Sequence, residues 1–178
     1  MKEEDDRALV RRCLQGDRSA FGQLVVRYQK PVFNAALRLL HSPEDARDVA
    51  QTTFLKAYEH LSDYDERFKF YSWIYRIAVN EALDTINARR PSEAVSDAQP
   101  DEAEGPDRIA EGAEIGGAIK QELARISPEL RAVIVLRHLM NLSYQDMSDI
   151  LELPEKTVKS RLYSARQLLR ERLQRYGV

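Results

Sequence analysis

The feature that most constrains the fold is a central segment, residues 91–118, that cannot contribute to a packed core. It reads PSEAVSDAQPDEAEGPDRIAEGAEIGGA and contains no aromatic residue. Eight acidic side chains accompany a single basic one, Arg108. Mutual repulsion and low apolar content keep such a segment extended. The sequence therefore predicts two small domains, residues 1–90 and 116–178, joined by a flexible acidic linker at residues 91–115.

The net charge of -2 conceals an uneven distribution of charge. Residues 1–90 carry 15 basic and 14 acidic side chains, whereas residues 119–178 carry 11 basic and seven acidic ones. Near-neutrality of the whole chain therefore hides a basic C-terminal part.

Composition excludes several classes of protein. No apolar run approaches the roughly 20 residues that span a bilayer, and the start, MKEEDDRALV, is not a signal peptide. Cys13 is the single cysteine and the three histidines are scattered, which leaves no disulfide framework and no metal-ligand cluster. We expect a cytoplasmic protein without membrane insertion, metal or cofactor.

Helical patterns occupy both predicted domains. Ser42 and Pro43 form a helix start, and apolar residues then recur at helical spacing up to Leu61. Further helices are predicted over residues 21–40, with a possible bend at Pro31, and over residues 70–86. Because no segment alternates as a strand does, the predicted fold class is all-α.

The C-terminal domain has the pattern of a helix-turn-helix. Ser127-Pro128 starts one helix, Ser143 starts another with Asp146 as an acidic capping-box partner, and Pro154 precedes a long final helix to about Arg175. Lys, Ser, Tyr and Gln side chains share the outer face of that last helix, and such residues bind phosphates and base edges of duplex DNA. The simpler alternative is a solvated face on an ordinary terminal helix.

Residues 64–75 concentrate six of the chain's 14 aromatic residues, interleaved with Arg67 and Lys69. Aromatic rings beside cations suit unpaired nucleic acid, because every base can stack and every nucleotide carries a phosphate. The alternative is the edge of a hydrophobic core, with Phe70, Trp73 and Ile74 packed inside.

The acidic helix at residues 44–59 brings Asp45, Asp48 and Gln51 near one another. Two carboxylates could serve general acid–base catalysis, but no histidine, nucleophile or glycine-rich phosphate loop accompanies them. A solvated face or a face for a protein partner is the better interpretation, and we expect no catalytic residue.

Three segments in order, EDARDVAQTTFLKAY, FYSWIYRIAVNEALD and SPELRAVIVLRHLMNLSYQDMSDILELPEKTVKSRLYSARQLL, resemble the bacterial extracytoplasmic-function (ECF) sigma factors, which consist of regions 2 and 4. The resemblance implies region 2 at 1–90, an acidic linker at 91–115 that threads the polymerase channels, and region 4 at 116–178. It implies a non-enzymatic subunit that binds core RNA polymerase and directs promoter recognition and opening. It also implies an anti-sigma factor as a further partner.

The same resemblance implies the residues of each interface. The residues expected to bind the clamp helices of the largest polymerase subunit are Asp45, Asp48, Gln51 and Phe54, while the flap of the second-largest subunit is a further contact. The residues expected to bind the single-stranded -10 element are Tyr64, Arg67, Phe68, Lys69, Tyr71, Trp73, Arg76 and Asn80, with Asn80 helping to line a base pocket. The residues expected to bind the -35 duplex are Lys156, Thr157, Lys159, Ser160, Arg161, Tyr163, Ser164 and Arg166.

Three positions depart from the family pattern. Glu152 stands where a glycine usually closes the first helix of the helix-turn-helix, Thr52 follows Gln51 in place of a carboxylate, and Ser164 follows Tyr163 in place of a basic residue. With a residue other than glycine at this position, we expect either a different turn or a slightly strained one.

Two other functions remain open from the residues alone. One is a stand-alone helix-turn-helix regulator of duplex DNA, with an N-terminal domain that senses a ligand or dimerises. The other is a small hydrolase that uses Asp45 and Asp48. The aromatic and cationic segment favours the sigma factor, since a protein that binds only duplex DNA has no need of a single-strand platform.

Overall fold

A computed structural model of the chain describes residues 5–89, 117, 119 and 121–176, and the regular elements in these ranges are helical. The helices with defined bounds are α1 (Asp6–Leu14), α2 (Arg18–Leu40), α3 (Pro43–Glu59), α4 (Phe70–Arg89), α5 (Pro128–Ile134), α6 (Tyr144–Leu151) and α7 (Glu155–Leu173). Residues 117, 119 and 121–124 are also helical. Helix α5 continues as a π-helical turn, Val135–Leu139, and 3-10 turns occupy Leu61–Asp63 and Gln174–Tyr176. The all-α prediction is confirmed, while the predicted linker at residues 91–115 lies outside the described residues.

Local capping signals account for several helix boundaries. The Ser42 hydroxyl accepts a hydrogen bond from the Asp45 backbone N–H at 3.3 Å, and Pro43 occupies the first turn, as predicted. Pro31 lies inside α2, which continues to Leu40. Helix α1 was not predicted from the apolar periodicity. Its Asp6 carboxylate accepts hydrogen bonds from Arg27 and Tyr28 of α2, which connects the two helices.

Helices α1 to α4 form the N-terminal domain around one apolar core. Helix α2 packs on α1, α3 and α4, and its Leu24 and Leu39 are almost completely buried together with Ile74 of α4. The C-terminal domain packs α5 and α6 onto α7, with Leu136 and Met147 almost completely buried. Burial of these apolar side chains is the main source of stability of both domains.

The two domains lie in contact with each other. Helix α6 packs against α4, and the buried Arg131 of α5 donates a 2.5 Å hydrogen bond to the carbonyl of Leu39 at the end of α2. The same guanidinium donates to the carbonyls of Leu123, Ala124 and Ile126. One side chain therefore joins the C-terminal end of α2 to the C-terminal domain.

Among the helices described, none is both long and apolar enough to cross a membrane.

Candidate nucleic-acid interface

Helices α6 and α7 form the predicted helix-turn-helix. The Ser143 hydroxyl accepts from the Asp146 backbone N–H at 3.0 Å, and Asp146 Oδ2 accepts from the Ser143 N–H at 3.4 Å, which confirms the capping box. Pro154 precedes the first residue of α7, as predicted, and α7 ends at Leu173, two residues before the predicted end.

Glu152 closes α6 in the left-handed backbone conformation, with φ of 52° and ψ of 40°. Its N–H donates to the Ser148 carbonyl, as a C-terminal cap does. Because Glu152 has a Cβ atom, this conformation costs about 1 kcal/mol relative to glycine. The strain expected at this departure from the family pattern is present.

Helix α7 buries one face and exposes the other. Val158, Leu162 and Ala165 are buried against α5 and α6. Six of the residues expected to bind the -35 duplex are exposed and two are half-buried; the exposed six are Lys156, Lys159, Ser160, Tyr163, Ser164 and Arg166, and the other two are Thr157 and Arg161. Tyr163 exposes 67% of its surface, so this face is available to a ligand without unfolding.

Two cations on this face are oriented by neighbours in the C-terminal domain. Lys159 Nζ lies 2.8 Å from Glu155 Oε2 and 5.1 Å from the centre of the Tyr144 ring. Arg166 Nε lies 3.1 Å from His138 Nε2. Burial, and then the positive charge of Arg166, lower the pKa of His138, which favours the neutral imidazole that can accept this hydrogen bond.

The aromatic segment of the N-terminal domain is divided between core and surface. Tyr64, Phe70 and Trp73 pack on one another with ring centres 5.5 to 5.7 Å apart. The Tyr64 hydroxyl donates to the Phe68 carbonyl at 2.7 Å, and both Tyr64 and Trp73 are buried. These rings stabilise the domain, as the core interpretation of the segment requires.

The remaining residues expected to bind the -10 element lie at the surface. Arg67, Phe68, Lys69 and Asn80 are exposed, while Tyr71 and Arg76 are half-buried. Phe68 exposes 44% of its surface. Arg67 forms an ion pair with Asp65 at 2.5 Å, and Lys69 Nζ lies 3.2 Å from the Tyr71 hydroxyl.

A cavity of about 220 Å³ opens between this surface and α6. Its lining combines aromatic, cationic, hydroxyl and carboxylate groups, from Asp63, Asp65, Phe68, Ser72, Trp73, Arg76 and Asp149. The volume is several times the roughly 30 Å³ of a water molecule in the liquid. Asn80 is exposed one turn beyond Arg76 on α4 and is not among these lining residues.

Ser72 is a candidate that the sequence analysis missed. It is only 2% exposed, and its hydroxyl has no hydrogen-bond partner within the part of the chain that the structure describes. A buried hydroxyl without a partner is unfavourable, yet this one lines a cavity where a ligand could satisfy it. Its small polar side chain among aromatic residues was the available signal.

Helix α3 presents a mixed polar and apolar face. Asp48 and Gln51 are exposed, and Leu55, one further turn along the same face, exposes 57% of its surface. Phe54 is partly buried against the core. The sequence analysis did not single out Leu55. The available signal was an apolar side chain that falls outside the apolar stripe of α3.

Asp45 occupies a different environment from the exposed face of α3. It is 9% exposed and its carboxylate forms an ion pair with Arg89 at the end of α4. The structure therefore does not bring Asp45 and Asp48 together as an exposed pair of carboxylates. In the described ranges, no group of three or more His, Cys, Asp or Glu residues is arranged to hold a metal ion.

A second, apolar groove of about 540 Å³ crosses the C-terminal domain beside α7. Its walls are mainly leucine and isoleucine with a cationic rim, formed by Ile119, Leu123, Ile134, His138, Leu139, Arg166, Leu169, Arg170 and Leu173. Leu139 exposes 43% of its surface at this groove.

Comparison with known protein families finds two matches along the chain. The sigma-70 region 2 family matches residues 24–91, and the sigma-70 region 4 family matches residues 116–169. The RNA polymerase sigma-H factor of Pseudomonas aeruginosa is 33% identical over 98% of this chain and 96% of its own length. The ECF RNA polymerase sigma-E factor of Escherichia coli K12 is 34% identical over 95% of this chain and 94% of its own length.

Solved structures show the same architecture. CnrH, solved in complex with the cytosolic domain of CnrY, is 28% identical and superimposes with a TM-score of 0.73 over 96% of this chain and 98% of that one. The sigma factor RpoE of Bartonella quintana, solved with the anti-sigma factor NepR, has 23% identity and a TM-score of 0.64 over 86% of this chain and 96% of that one. The likeness to RpoE supports only the assignment of the fold.

Proposed function

The chain belongs to the extracytoplasmic-function sigma factors, and from this membership we propose that it binds core RNA polymerase in the cytoplasm and directs promoter recognition and opening. It does so as a non-enzymatic subunit. The observation that carries the proposal is the combination of a basic, exposed recognition helix with a cavity lined by aromatic side chains together with one arginine, one serine hydroxyl and three carboxylates. A protein that reads duplex DNA alone needs only the first of these.

The proposed domain roles follow the two family matches. Residues 1–90 bind polymerase and the -10 element, residues 91–115 form the linker, and residues 116–178 bind the -35 element. In the C-terminal domain, Lys156, Lys159 and Tyr163 on the exposed face of α7 enter the major groove. Arg161 and Arg166 at its edges contact phosphates.

In the N-terminal domain, the cavity beside Phe68 and Trp73 receives one extruded base of the non-template strand. Lys69 and Arg76 contact the neighbouring phosphates, and the Ser72 hydroxyl supplies a hydrogen bond to the base. Tyr64 supports this surface from the core through its bond to Phe68.

Asn80 contributes to the same strand path from its exposed position on α4. Replacing Asn80 by alanine should impair opening of the -10 element more than duplex binding. Unchanged permanganate reactivity of the -10 thymines would remove Asn80 from this role.

The role of Ser72 has a distinctive signature. Replacing Ser72 by alanine removes a buried hydroxyl that has no partner in the described structure, so the free energy of unfolding should stay the same or rise. Promoter opening, followed by the same permanganate assay, should instead slow roughly fivefold, since one hydrogen bond contributes about 1 kcal/mol. A variant that melts promoters as well as the parent protein would exclude Ser72 from base capture.

Polymerase binding is proposed for the exposed face of α3. Asp48 and Gln51 provide polar contacts to the clamp helices, and Leu55 provides the apolar centre that such an interface needs. The ion pair of the buried Asp45 with the exposed Arg89 holds α3 against α4 and so positions that face. The apolar groove beside α7 is the proposed site for the polymerase flap.

Regulation by an anti-sigma factor is proposed by analogy, since the RpoE relative was solved with one. Such a partner would act by covering the exposed face of α3 and the groove beside α7. Both surfaces expose leucine side chains, at Leu55 and Leu139, that a protein partner could bury.

The deciding experiment is in vitro transcription from fragmented genomic DNA, with core polymerase in the presence and absence of this chain. We expect new start sites that share two spaced upstream elements. Absence of added transcripts, from a folded chain that binds DNA alone, would favour a stand-alone regulator instead.

The polymerase interface is tested by co-purification of the chain with the same core polymerase. Asp48→Ala should weaken association with core polymerase, because it removes a charged contact from the exposed face of α3. Asp84→Ala, which removes an exposed carboxylate from α4, is the matched control and should co-purify normally. Equal recovery of both variants would exclude Asp48 from the interface.

A further inference from the structure

Residues 64–69 join the 3-10 turn to α4, and this 64–69 loop carries much of the surface assigned above to the -10 element. Its Asp65 and Phe68 side chains line the cavity, and its Arg67 side chain is exposed. The position of the loop therefore decides where these side chains meet an incoming base. Any contact that holds the loop in place also affects how the -10 element is read.

The tip of the 64–69 loop is a β-turn. The Phe68 N–H donates to the Asp65 carbonyl at 3.0 Å, so that Glu66 and Arg67 occupy the centre of the turn. The Asp65 carboxylate accepts a hydrogen bond from the Arg67 N–H at 2.9 Å, as aspartate does in many turns. These contacts are local, so they determine the shape of the turn but not its direction relative to the domain.

Helix α1 contacts the loop at two places. Arg11 Nε lies 3.2 Å from Oε1 of Glu66, about 55 positions away in the chain. One helical turn earlier on the same face of α1, Arg7 donates a hydrogen bond to the Tyr64 hydroxyl, which itself donates to the Phe68 carbonyl at 2.7 Å. Burial raises the pKa of Tyr64 more than Arg7 lowers it, so the hydroxyl keeps the proton that it donates.

Helix α1 is itself firmly attached to the N-terminal domain. Its Leu9 and Val10 side chains are almost completely buried, and its Asp6 carboxylate accepts hydrogen bonds from Arg27 and Tyr28 of α2. The helix therefore has a fixed position relative to the core. Side chains that reach from it to the loop transmit that position to the turn.

The ion pair between Arg11 and Glu66 is suited to orienting the turn rather than to stabilising the fold. The two side chains expose 61% and 44% of their surfaces, and pairs as exposed as this contribute little to the free energy of unfolding. Holding a solvated turn in one direction, however, reduces the conformational entropy that is lost when a base binds. Changes to this pair can therefore alter DNA recognition while the domain stays folded.

We propose that α1 sets the position of the 64–69 loop, with Arg11 and Arg7 as positioning residues for reading of the -10 element. This inference rests on the proposed function, in which the loop meets the extruded base. Arg11 acts through Glu66, and Arg7 acts through Tyr64, so neither arginine needs to contact the strand. Loss of either contact lets the turn move, and discrimination between bases then falls more than opening of the best promoter.

The test measures promoter opening by the holoenzyme on templates that differ from the best promoter by single bases in the -10 element. Discrimination is the ratio of opening on the best template to opening on each altered one. Arg11→Glu and Glu66→Arg should each lower this ratio roughly twofold to fivefold, the factor that an exposed ion pair supplies. Arg11→Glu/Glu66→Arg restores a pair of opposite charges and should recover most of the discrimination.

The contact of Arg7 is tested on the same templates. Arg7→Met removes the donor to Tyr64 and should lower discrimination by a similar factor, whereas Arg7→Lys keeps a cationic donor and should retain most of it. Arg18→Glu makes the same change of charge as Arg11→Glu, at an exposed arginine of α2, and should leave discrimination unchanged. Urea unfolding should give nearly the same midpoint for the parent chain and the variants at Arg11 and Arg18.

Three results would overturn the inference: discrimination like that of the parent in both Arg11→Glu and Glu66→Arg, an equal loss in Arg18→Glu, or a double variant no better than the single ones. The last result would indicate that Arg11 contacts the strand directly. Failure of the proposed function would look different, because the parent chain would then support no promoter-specific transcripts with core polymerase. If transcripts are present while the single variants discriminate like the parent, only the role of α1 is excluded.

Discussion

The two domains present nucleic-acid-binding residues in different ways. In the C-terminal domain, one face of α7 is buried and the opposite face is free, so binding and packing use separate side chains. In the N-terminal domain, Trp73 belongs to the aromatic core and also lines the cavity. A recognition helix can therefore change its outer residues without affecting stability, whereas the -10 surface shares residues with the core of its domain.

The largest expected effect tests this difference directly. Trp73→Ala should reduce the free energy of unfolding of the N-terminal domain by about 3–5 kcal/mol, because it removes a large buried ring. Tyr163→Ala should change stability by no more than about 0.5 kcal/mol, because Tyr163 is exposed. Urea unfolding followed by circular dichroism measures both, and similar losses in the two variants would contradict the comparison.

A somewhat smaller effect is expected at the junction of the domains. Arg131→Ala leaves buried carbonyls of both domains without their donor, and each such group costs about 1–3 kcal/mol. We expect a loss of roughly 3 kcal/mol and, by calorimetry, separation of one unfolding transition into two. Arg38→Ala, at an exposed arginine beside Leu39, is the control; an unchanged single transition in Arg131→Ala would show that the domains are coupled by other contacts.

A substitution on the exposed face of α7 is expected to weaken DNA binding without changing stability. Lys159→Ala should weaken binding of a -35 duplex by about 1–3 kcal/mol while leaving the unfolding midpoint and polymerase binding intact. Electrophoretic mobility shift with holoenzyme measures the first effect, and Lys30→Ala, at an exposed lysine of the N-terminal domain, controls for net charge. Equal loss of DNA and polymerase binding would instead indicate misfolding.

The smallest effect concerns pH and His138. Its folded-state pKa is lowered, first by burial and then by Arg166, so the unfolded chain binds this proton more tightly. The contribution of His138 to stability is therefore present above its usual pKa near 6.5 and declines as the pH falls through 6.5 toward the lower folded-state value. The decline in unfolding free energy between pH 7.5 and 5.5 should be smaller in His138→Gln, as measured by urea titration at each pH. Identical pH profiles would exclude His138 as the group responsible.

The amino-acid sequence by itself determined most of the helices and several of their boundaries, with α1 as the exception. The Ser42-Pro43 start and the Ser143–Asp146 capping box depend on groups within a few residues of each other, so they could be predicted. The exposed face of α7 follows from the 3.6-residue period alone. The left-handed backbone at Glu152 was expected only through the family resemblance, as one of two outcomes for a turn that a glycine usually closes.

Only the tertiary structure decided which of the predicted residues reach solvent and which residues meet across the chain. Neighbouring aromatic residues in one segment divide into a buried Tyr64 and an exposed Phe68, because burial depends on helices far away in sequence. The cavity at Ser72 and the pairing of Arg76 with Glu152 join residues about 76 positions apart, which no local pattern records. Side-chain type and periodicity are local properties, whereas burial and pairing depend on packing of the whole molecule.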